Sequence, residues 1–321
     1  MATMIRISGL TKTYEEFAAV RDISLEIREG EAFAFLGPNG SGKTTTLKCL
    51  VGLTRPTAGE ILVGGFDLRR NSIDARRQIS YLPQRVNFHD NLTAREVLEF
   101  YCRLRKLSKN RIEETLATAG FNSNGFADNL VGTLSGGMLQ RLGLAVACLP
   151  DTPILILDEP MVNLDPQGAI GFREFLTALK GKNKTIIFSS HILGDVEQLA
   201  DRVAILVGGR LVALESVEAL REAVLRNSKM RLTLVNPDPR WQCAAHDAGA
   251  ETVAVDGNTL IIESPPESRL RILRCLEAGG AEISRFATME PSLEDTYLRY
   301  IHEEDARSVC LPPDGVPGGK N

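Results

Sequence analysis

Hydrophobic positions along this chain follow two different patterns. Residues 5–7 and 23–27 alternate apolar and polar side chains, which is typical of half-buried antiparallel strands. Residues 154–157, 185–188 and 203–207 are almost entirely apolar, as in parallel strands covered on both faces. Because helical patterns lie between these apolar segments, they predict an α/β core with right-handed connections.

A mostly helical region interrupts this core. Thr93 and Glu96 have the spacing of a capping box, and apolar residues follow them at helical intervals. Residues 111–119 form a second amphipathic segment, which we expect to end at Gly120. We therefore predict a helical subdomain over about residues 85–150.

The pattern starts again after about residue 223. Between residues 230 and 286 its segments follow the order strand, helix, strand, strand, helix, strand, which is the ferredoxin-like arrangement. A last helix is predicted over 292–303. We expect a first domain over 1–222, a second domain over 223–305 and a disordered tail over 306–321.

Composition excludes some classes of protein. The 321 residues have a formal net charge of −4, whereas a general nucleic-acid binder is usually basic. The six cysteines do not have the spacing of a zinc site, and they indicate reduced thiols in the cytosol. We find neither a secretory signal nor an apolar run of about 18 residues that could cross a bilayer. Any membrane association is therefore expected to come through a partner.

The segment that follows residues 32–36 has the pattern G-x-x-x-x-G-K-[ST] of a phosphate-binding loop. The glycines let backbone N–H groups converge on phosphate oxygens at the start of a helix. In this pattern the lysine reaches the β- and γ-phosphates and the threonine hydroxyl contacts Mg²⁺. The alternative is a chance glycine-rich turn, which the strand before it and the helical pattern after it make less favourable. The candidate nucleotide-binding residues are Gly37, Pro38, Asn39, Gly40, Ser41, Gly42, Lys43, Thr44 and Thr45.

Two acidic residues end the apolar segment 154–157. Asp158 is placed to hold Mg²⁺ directly or through water. Glu159 could take a proton from an attacking water or orient that water. A solvated pair of carboxylates without function is the alternative interpretation.

Three further features lie near the predicted sheet edge or at a helix start. Ser135 fits a helix N-cap and is followed by Gly136 and Gly137, so the helix N–H groups could form a second anion site. His191 follows the segment 185–188 and could hydrogen-bond a γ-phosphate. Gln84 follows the segment 79–82 and could reach Mg²⁺ or water. Taken singly, each has a structural alternative: a capped helix, a core histidine or a surface turn.

Together these residues resemble the ATP-binding cassette (ABC) ATPases, the nucleotide-binding subunits of transporters, over roughly residues 4–220. The resemblance implies a P-loop NTPase fold with a RecA-like core, an antiparallel β subdomain and a helical subdomain. It implies that Tyr14 stacks on adenine, that Gln84 is the Q-loop residue, and that residues 134–138 are the signature motif acting on ATP held by a second subunit. It also implies that Glu159 is the catalytic base, that Asp165 belongs to the D-loop 163–165, and that His191 is the switch histidine.

Two positions depart from the family pattern. Met138 stands where Gln is usual, and Met161 stands where Thr or Ser is usual. Both positions flank the expected phosphate contacts, so we expect activity to survive.

The C-terminal part narrows the branch of the family. Residues 286–298, which include Pro-Ser-Leu-Glu-Asp, resemble the ending of ATPases that serve ABC-2-type exporters. Residues 81–88 are more weakly similar to the accessory ATPase of nitrous-oxide-reductase copper-site maturation. The chain has no Cys/His cluster, so a copper-handling or periplasmic accessory protein would have to bind that metal.

The resemblance predicts an ATPase that uses ATP and Mg²⁺, forms a homodimer and drives a separate membrane permease. Such a subunit would lie in the cytoplasm at the inner face of the membrane. Phe88 and Leu92 are expected permease contacts, although Phe88 could equally belong to the core. The second domain would brace the dimer or bind a small regulator. The rival hypothesis is a non-transport ABC ATPase of translation or DNA repair. Translation types usually carry two cassettes and repair types a long coiled coil, and the sequence shows neither a repeated cassette nor heptads.

Overall fold

The computed structural model describes residues 2–118, 126–162, 164–226 and 229–289. By its internal contacts the chain divides into two units, Met1–Glu215 and Ser216–Asn321. This division lies seven residues before the boundary predicted at 222/223. The predicted helix 292–303, the tail 306–321, Asn163 and Gly120 lie outside the described residues.

The first unit contains ten strands and seven α-helices among its described residues. The strands are β1 (Thr3–Tyr14), β2 (Phe17–Arg28), β3 (Ala32–Leu36), β4 (Ala58–Val63), β5 (Phe66–Asp67), β6 (Ile79–Leu82), β7 (Ile154–Leu157), β8 (Thr185–Ser190), β9 (Arg202–Val207) and β10 (Arg210–Ser216). The helices are α1 (Lys43–Leu50), α2 (Ser72–Arg77), α3 (Ala94–Leu104), α4 (Asn110–Thr118), α5 (Gly136–Cys148), α6 (Pro166–Lys180) and α7 (Leu193–Leu199).

Strands of the first unit form two sheets. One has the order β2-β1-β4-β5 with antiparallel pairing, as the alternating pattern of residues 5–7 and 23–27 predicted. The other has the order β10-β9-β3-β8-β7-β6, and β6, β7, β8, β3 and β9 run parallel. Apolar side chains from both sheets and from α1 share one core. Because β3, β7 and β8 are buried along their whole length, the carboxyl edge of this sheet is held rigidly.

Helices α3, α4 and α5 form a separate cluster that confirms the predicted helical character of this region. Thr93 caps α3 and forms both hydrogen bonds of the capping box with Glu96. Val97, Leu98 and Leu142 lie in the core of this cluster. Phe88 and Leu92 are only half-buried and pack against the same core.

The second unit has the predicted ferredoxin-like order. It contains α8 (Val217–Arg226), β11 (Lys229–Leu234), α9 (Arg240–Asp247), β12 (Thr252–Asp256), β13 (Thr259–Glu263), α10 (Arg269–Ala278) and β14 (Ile283–Met289). Its antiparallel sheet has the order β12-β13-β11-β14. Trp241, Leu232 and Ile272 belong to a core of its own. Among the described residues of the whole chain, no helix has the length and apolarity that a membrane span requires.

Candidate active site

The predicted phosphate loop lies between β3 and α1, and the structure explains why two of its positions are glycine. A Cβ on Gly37 would lie 2.3 Å from the Leu206 carbonyl oxygen. Gly42 has φ +98°, and a Cβ there would lie 2.5 Å from the Ala19 carbonyl oxygen. Only glycine allows both this backbone conformation and this close approach. The loop is therefore held in a shape that leaves its amides free of side-chain obstruction.

Lys43 is the buried cation of the loop. Its side chain is 4 % exposed, and Nζ donates to the carbonyl oxygens of Gly37 at 2.7 Å and Pro38 at 3.0 Å. The ammonium also lies 3.7 Å from Glu159 Oε1. Burial lowers the pKa of Lys43, and the nearby carboxylates of Glu159 and Asp158 oppose that shift. The structure therefore places a desolvated positive charge beside the loop amides.

Two buried hydroxyl groups lie in the loop or in the helix that follows it. Among the described residues, Ser41 Oγ and Thr46 Oγ1 are buried polar atoms without a hydrogen-bond partner. A buried hydroxyl without a partner is costly, so it commonly marks a ligand site. Pro38, Asn39 and Gly40 are exposed at the tip of the loop, and Thr45 is half-buried. The exposed loop tip and the unpaired Ser41 hydroxyl fit the phosphate chain of a nucleotide.

Asp158 and Thr44 come together as a pair of oxygen ligands. Asp158 is 1 % exposed and is the first residue after β7. The Thr44 hydroxyl donates to Asp158 Oδ1 at 3.0 Å, and the Ser189 hydroxyl donates to the same oxygen at 2.7 Å. Carboxylate and hydroxyl oxygens beside phosphate are the ligands that Mg²⁺ prefers. The donor set therefore fits Mg²⁺ bound together with a nucleotide.

Glu159 is the centre of the second half of the site. Its Oε2 lies 3.2 Å from His191 Nδ1 and accepts a hydrogen bond from Gln84 Nε2 at 3.4 Å, while Oε1 faces Lys43. The residue is 7 % exposed and has φ +45°, which side-chain-bearing residues rarely adopt. The structure thus brings together residues that are 75 and 32 positions apart in the sequence. It gives the predicted base a cation on one side and two nitrogen groups on the other.

The signature and D-loop residues lie at two helix starts. Ser135 Oγ caps α5 by accepting the Met138 N–H at 3.3 Å. Gly136 has no other atom within 4 Å of an added Cβ, so the start of α5 is open. Asp165 caps α6 and accepts the Gly168 N–H at 2.9 Å. Within the part of the chain that the structure describes, no hydrogen bond or ion pair joins Ser135 or Asp165 to Lys43, Asp158 or Glu159.

Three other predicted positions occupy different surroundings. Tyr14 ends β1 with 45 % of its surface exposed, and Lys12 Nζ lies 4.7 Å from its ring centroid. Met138 is half-buried against the helical cluster, and Met161 is buried. Neither methionine side chain has a hydrogen-bond donor to offer at the start of α5.

Sequence reasoning missed two residues that contact Asp158. Ser189 both donates to Asp158 and accepts the Glu159 N–H at 2.8 Å. Burial first, and then the Asp158 carboxylate, raises the pKa of Tyr81. No local pattern could have identified either contact, because each depends on which strands become neighbours in the sheet.

This combination of a parallel sheet, a phosphate loop and paired carboxylates defines a P-loop nucleotide hydrolase, and comparisons with known proteins specify the family. A family model for the ABC transporter matches residues 20–162. An ABC transporter ATP-binding protein of Bacillus subtilis (strain 168), YxlF, is 36% identical over 93% of this chain and 100% of its own length. The chain therefore belongs to the ABC transporter ATP-binding proteins, and it is an ATPase.

Further relatives agree in sequence and in structure. The bacitracin transport ATP-binding protein BcrA of Bacillus licheniformis is 33% identical over 94% of this chain and 98% of its own. The Nod factor export ATP-binding protein I of Rhizobium sp. (strain N33) is 34% identical over 94% of this chain and 97% of its own. A solved dimeric ATP-binding cassette in a post-hydrolysis state with ADP and Pi has a TM-score of 0.62 and 28% identity, and the match covers 67% of this chain and 99% of the cassette.

Proposed function

We propose that two copies of this chain close around two ATP molecules and that hydrolysis reopens them to drive a separate ABC-2-type membrane permease in export. The observation that supports this most directly is the convergence of Lys43, Glu159, Asp158 and Thr44 at one edge of the parallel sheet. Ligands bind at this edge in open α/β sheets. ATP must bind the closed pair more tightly than the open one, since otherwise no movement is coupled to binding.

Each residue of the first half-site has a distinct task. Lys43, already desolvated, holds the β- and γ-phosphates, and the loop amides bind their remaining oxygens. Thr44 and Asp158 would hold Mg²⁺, with Gln84 as a further ligand. When bound, the metal ion neutralises charge that develops on the phosphates. The Thr44–Asp158 hydrogen bond keeps both oxygen ligands on the same side of the loop.

Glu159 acts on the attacking water. Its carboxylate accepts a proton from the attacking water as the water oxygen bonds to the γ-phosphorus and the bond from that phosphorus to the bridging oxygen, which leaves with ADP, breaks. Lys43, 3.7 Å from Glu159, lies close enough to stabilise the negative charge on the transferred phosphoryl oxygens. His191 Nδ1 and Gln84 Nε2 orient the carboxylate through Oε2. His191 is also partly exposed, with 39 % of its side chain accessible, so it can reach a γ-phosphate from its position at the end of β8.

The other half of each site comes from the second subunit. Ser135, Gly136 and Gly137 present the open N-terminus of α5, whose N–H groups and dipole favour an anion. Asp165 lies at the start of α6 on the same proposed interface. The dimeric cassette among the structural relatives supports this arrangement. Each ATP-binding site would therefore be complete only when two subunits meet.

The helical cluster is the proposed permease dock. It begins near Gln84, so it can respond to events at the γ-phosphate. Phe88 and Leu92 are half-buried against the core of the cluster, whereas Phe100 and Leu104 of α3 are 56% and 65% exposed. These two exposed apolar side chains are therefore stronger candidates for the permease contact.

The relatives named for bacitracin transport and Nod factor export favour an exporter. They match nearly the whole chain, including the second unit. With a permease as partner, the subunit would work in the cytoplasm at the inner membrane face. The second unit has its own core, and we assign it to bracing the dimer, with binding of a small regulator as the alternative role.

Copper-site maturation is a narrower form of the same proposal. It rests on the resemblance of residues 81–88 and of the C-terminal part. Across the described residues, no group of three or more His, Cys, Asp and Glu side chains could hold a metal ion. Copper would therefore have to be bound by an accessory protein. Copper-dependent stimulation of ATP turnover in a complex with such a protein would support this pathway, and its absence would remove it.

Glu159→Gln tests the catalytic assignment. Loss of the base should reduce turnover by about 10²- to 10⁴-fold, while ATP binding at Lys43 is retained. Glu174→Gln, an exposed change on α6, is the matched control and should keep parental turnover. Parental turnover in Glu159→Gln would show that another group is the base.

Co-purification separates transport from the rival function. The full-length chain should be isolated in detergent together with a multi-spanning membrane protein that increases its ATP turnover. Ribosomes or DNA in place of that protein would support a translation or repair ATPase and would contradict the transport proposal.

A further inference from the structure

The Ser189 hydroxyl connects the two acidic residues of the site. Ser189 lies near the end of β8 and is 0 % exposed. Its Oγ donates to Asp158 Oδ1 at 2.7 Å and accepts the Glu159 N–H at 2.8 Å. We propose that Ser189 is a positioning residue that holds the metal-binding carboxylate of Asp158 and the backbone of Glu159 in a fixed relation. This inference rests on the roles proposed above for those two residues.

The contact lies where the backbone pairing of the two strands ends. Strands β7 and β8 run parallel, and Leu157 is aligned with Phe188 as their last pair. Asp158 and Glu159 follow directly, beyond the regular ladder. The Ser189 side chain continues the connection between the strands by one further step. Because a hydroxyl has a single proton, donation to Asp158 leaves its lone pairs to accept the Glu159 N–H.

The backbone of Glu159 needs such a contact. Its φ of +45° lies in the left-handed region, which is unfavourable for a residue with a Cβ. A conformation of this kind persists only where surrounding contacts enforce it. This conformation directs the Glu159 carboxylate toward Lys43, Gln84 and His191, while Asp158 faces Thr44. One hydroxyl thus determines how two neighbouring carboxylates diverge toward different tasks.

Thr185 provides a matched control on the same strand. It is also 0 % exposed, and its Oγ1 accepts a backbone N–H, that of Gly30, at 2.9 Å. It begins β8, whereas Ser189 lies near the opposite end. Thr185→Val and Ser189→Ala each remove one buried hydroxyl that accepts a backbone N–H. Only Ser189→Ala removes a contact to the site.

Two measurements on the full-length protein test the proposal. In Ser189→Ala, kcat should fall about ten- to hundredfold, since a hydrogen bond to a charged group is lost. For the same reason, the Mn²⁺ concentration that half-saturates the protein in the presence of ADP, measured by electron paramagnetic resonance, should rise about tenfold. ADP affinity without metal should stay within about twofold, because Lys43 and the loop remain intact. Thr185→Val should keep parental kcat and Mn²⁺ affinity. Ser189→Thr, which keeps the hydroxyl, should recover most of both.

The results distinguish this inference from the proposed function. Ser189→Ala with the kcat and Mn²⁺ affinity of Thr185→Val would overturn the positioning role while Glu159→Gln remained inactive. A fully active Glu159→Gln would instead overturn the assignment of the base. If Ser189→Ala does not fold, Ser189→Cys is measured instead, because its thiol fills a similar volume but is only a weak hydrogen-bond donor. The kcat and Mn²⁺ affinity expected for Ser189→Ala then apply to Ser189→Cys.

Discussion

The substitution Gly136→Ala tests the proposed site between two subunits without disturbing the fold of the single chain. In the single chain, a Cβ at this position meets no other atom within 4 Å, and the residue is the first of helix α5. Its φ lies outside the left-handed region, so alanine is not strained. Gly136→Ala should therefore leave stability unchanged or raise it by up to about 1 kcal/mol through helix propensity.

Activity should respond in the opposite direction. If the start of α5 receives the partner's ATP, the methyl group occupies space beside the γ-phosphate and displaces it. A displacement of about 1 Å can cost about 10²-fold in rate. ATP binding at Lys43 of the same chain should not change, since that loop is untouched.

Three assays compare Gly136→Ala with the parental protein: thermal unfolding without nucleotide, ATP binding, and steady-state hydrolysis. Gly194→Ala is the matched control, because Gly194 also lies at a helix start with nothing within 4 Å of an added Cβ. The control should keep both stability and turnover. Full turnover in Gly136→Ala would refute the shared site, and a lower unfolding temperature would refute the argument that the position is open.

Three further predictions follow from single positions. Gly37→Ala should lower the calorimetric unfolding temperature by about 2–12 °C, because overpacking costs about 1–3 kcal/mol. The added Cβ would lie 2.3 Å from the Leu206 carbonyl oxygen. An unchanged unfolding temperature would contradict this close contact. Burial raises the pKa of Cys49 to about 11, so at pH 8 iodoacetamide should label exposed Cys243 and leave Cys49 unmodified in peptide mapping; equal labelling would contradict the burial of Cys49. Tyr14→Ala should raise KM for ATP by about 5- to 150-fold with kcat unchanged, since stacking on a base contributes about 1–3 kcal/mol; an unchanged KM would exclude the adenine contact.

Local signals were sufficient for much of the fold. The phosphate loop, the Thr93–Glu96 capping box and the order of the second unit were predicted because each depends on neighbouring residues or on periodicity. Strand β10 was missed, since its residues are mostly half-buried and show no clear alternation. The short elements β5 and α2 were also missed, because they contain few buried apolar residues.

The arrangement of the site was predictable in part. The edge of the parallel sheet was expected to collect Gln84, Asp158 and His191, because strands of such a sheet end on the same side. The contacts of Ser189 with Asp158 and Glu159 could not be predicted, since they depend on the alignment of β7 and β8. The left-handed backbone of Glu159 likewise arises from tertiary contacts and not from its own preference.

The mass of the Glu159→Gln protein with ATP tests the central claim most directly. One chain has a mass of 35.1 kDa, so a closed pair has 70.2 kDa, twice that value. Light scattering during size exclusion should show the pair with ATP and the single chain without nucleotide. A protein that binds ATP yet remains at 35.1 kDa, while the parental chain hydrolyses ATP at full rate as a monomer, would contradict the account.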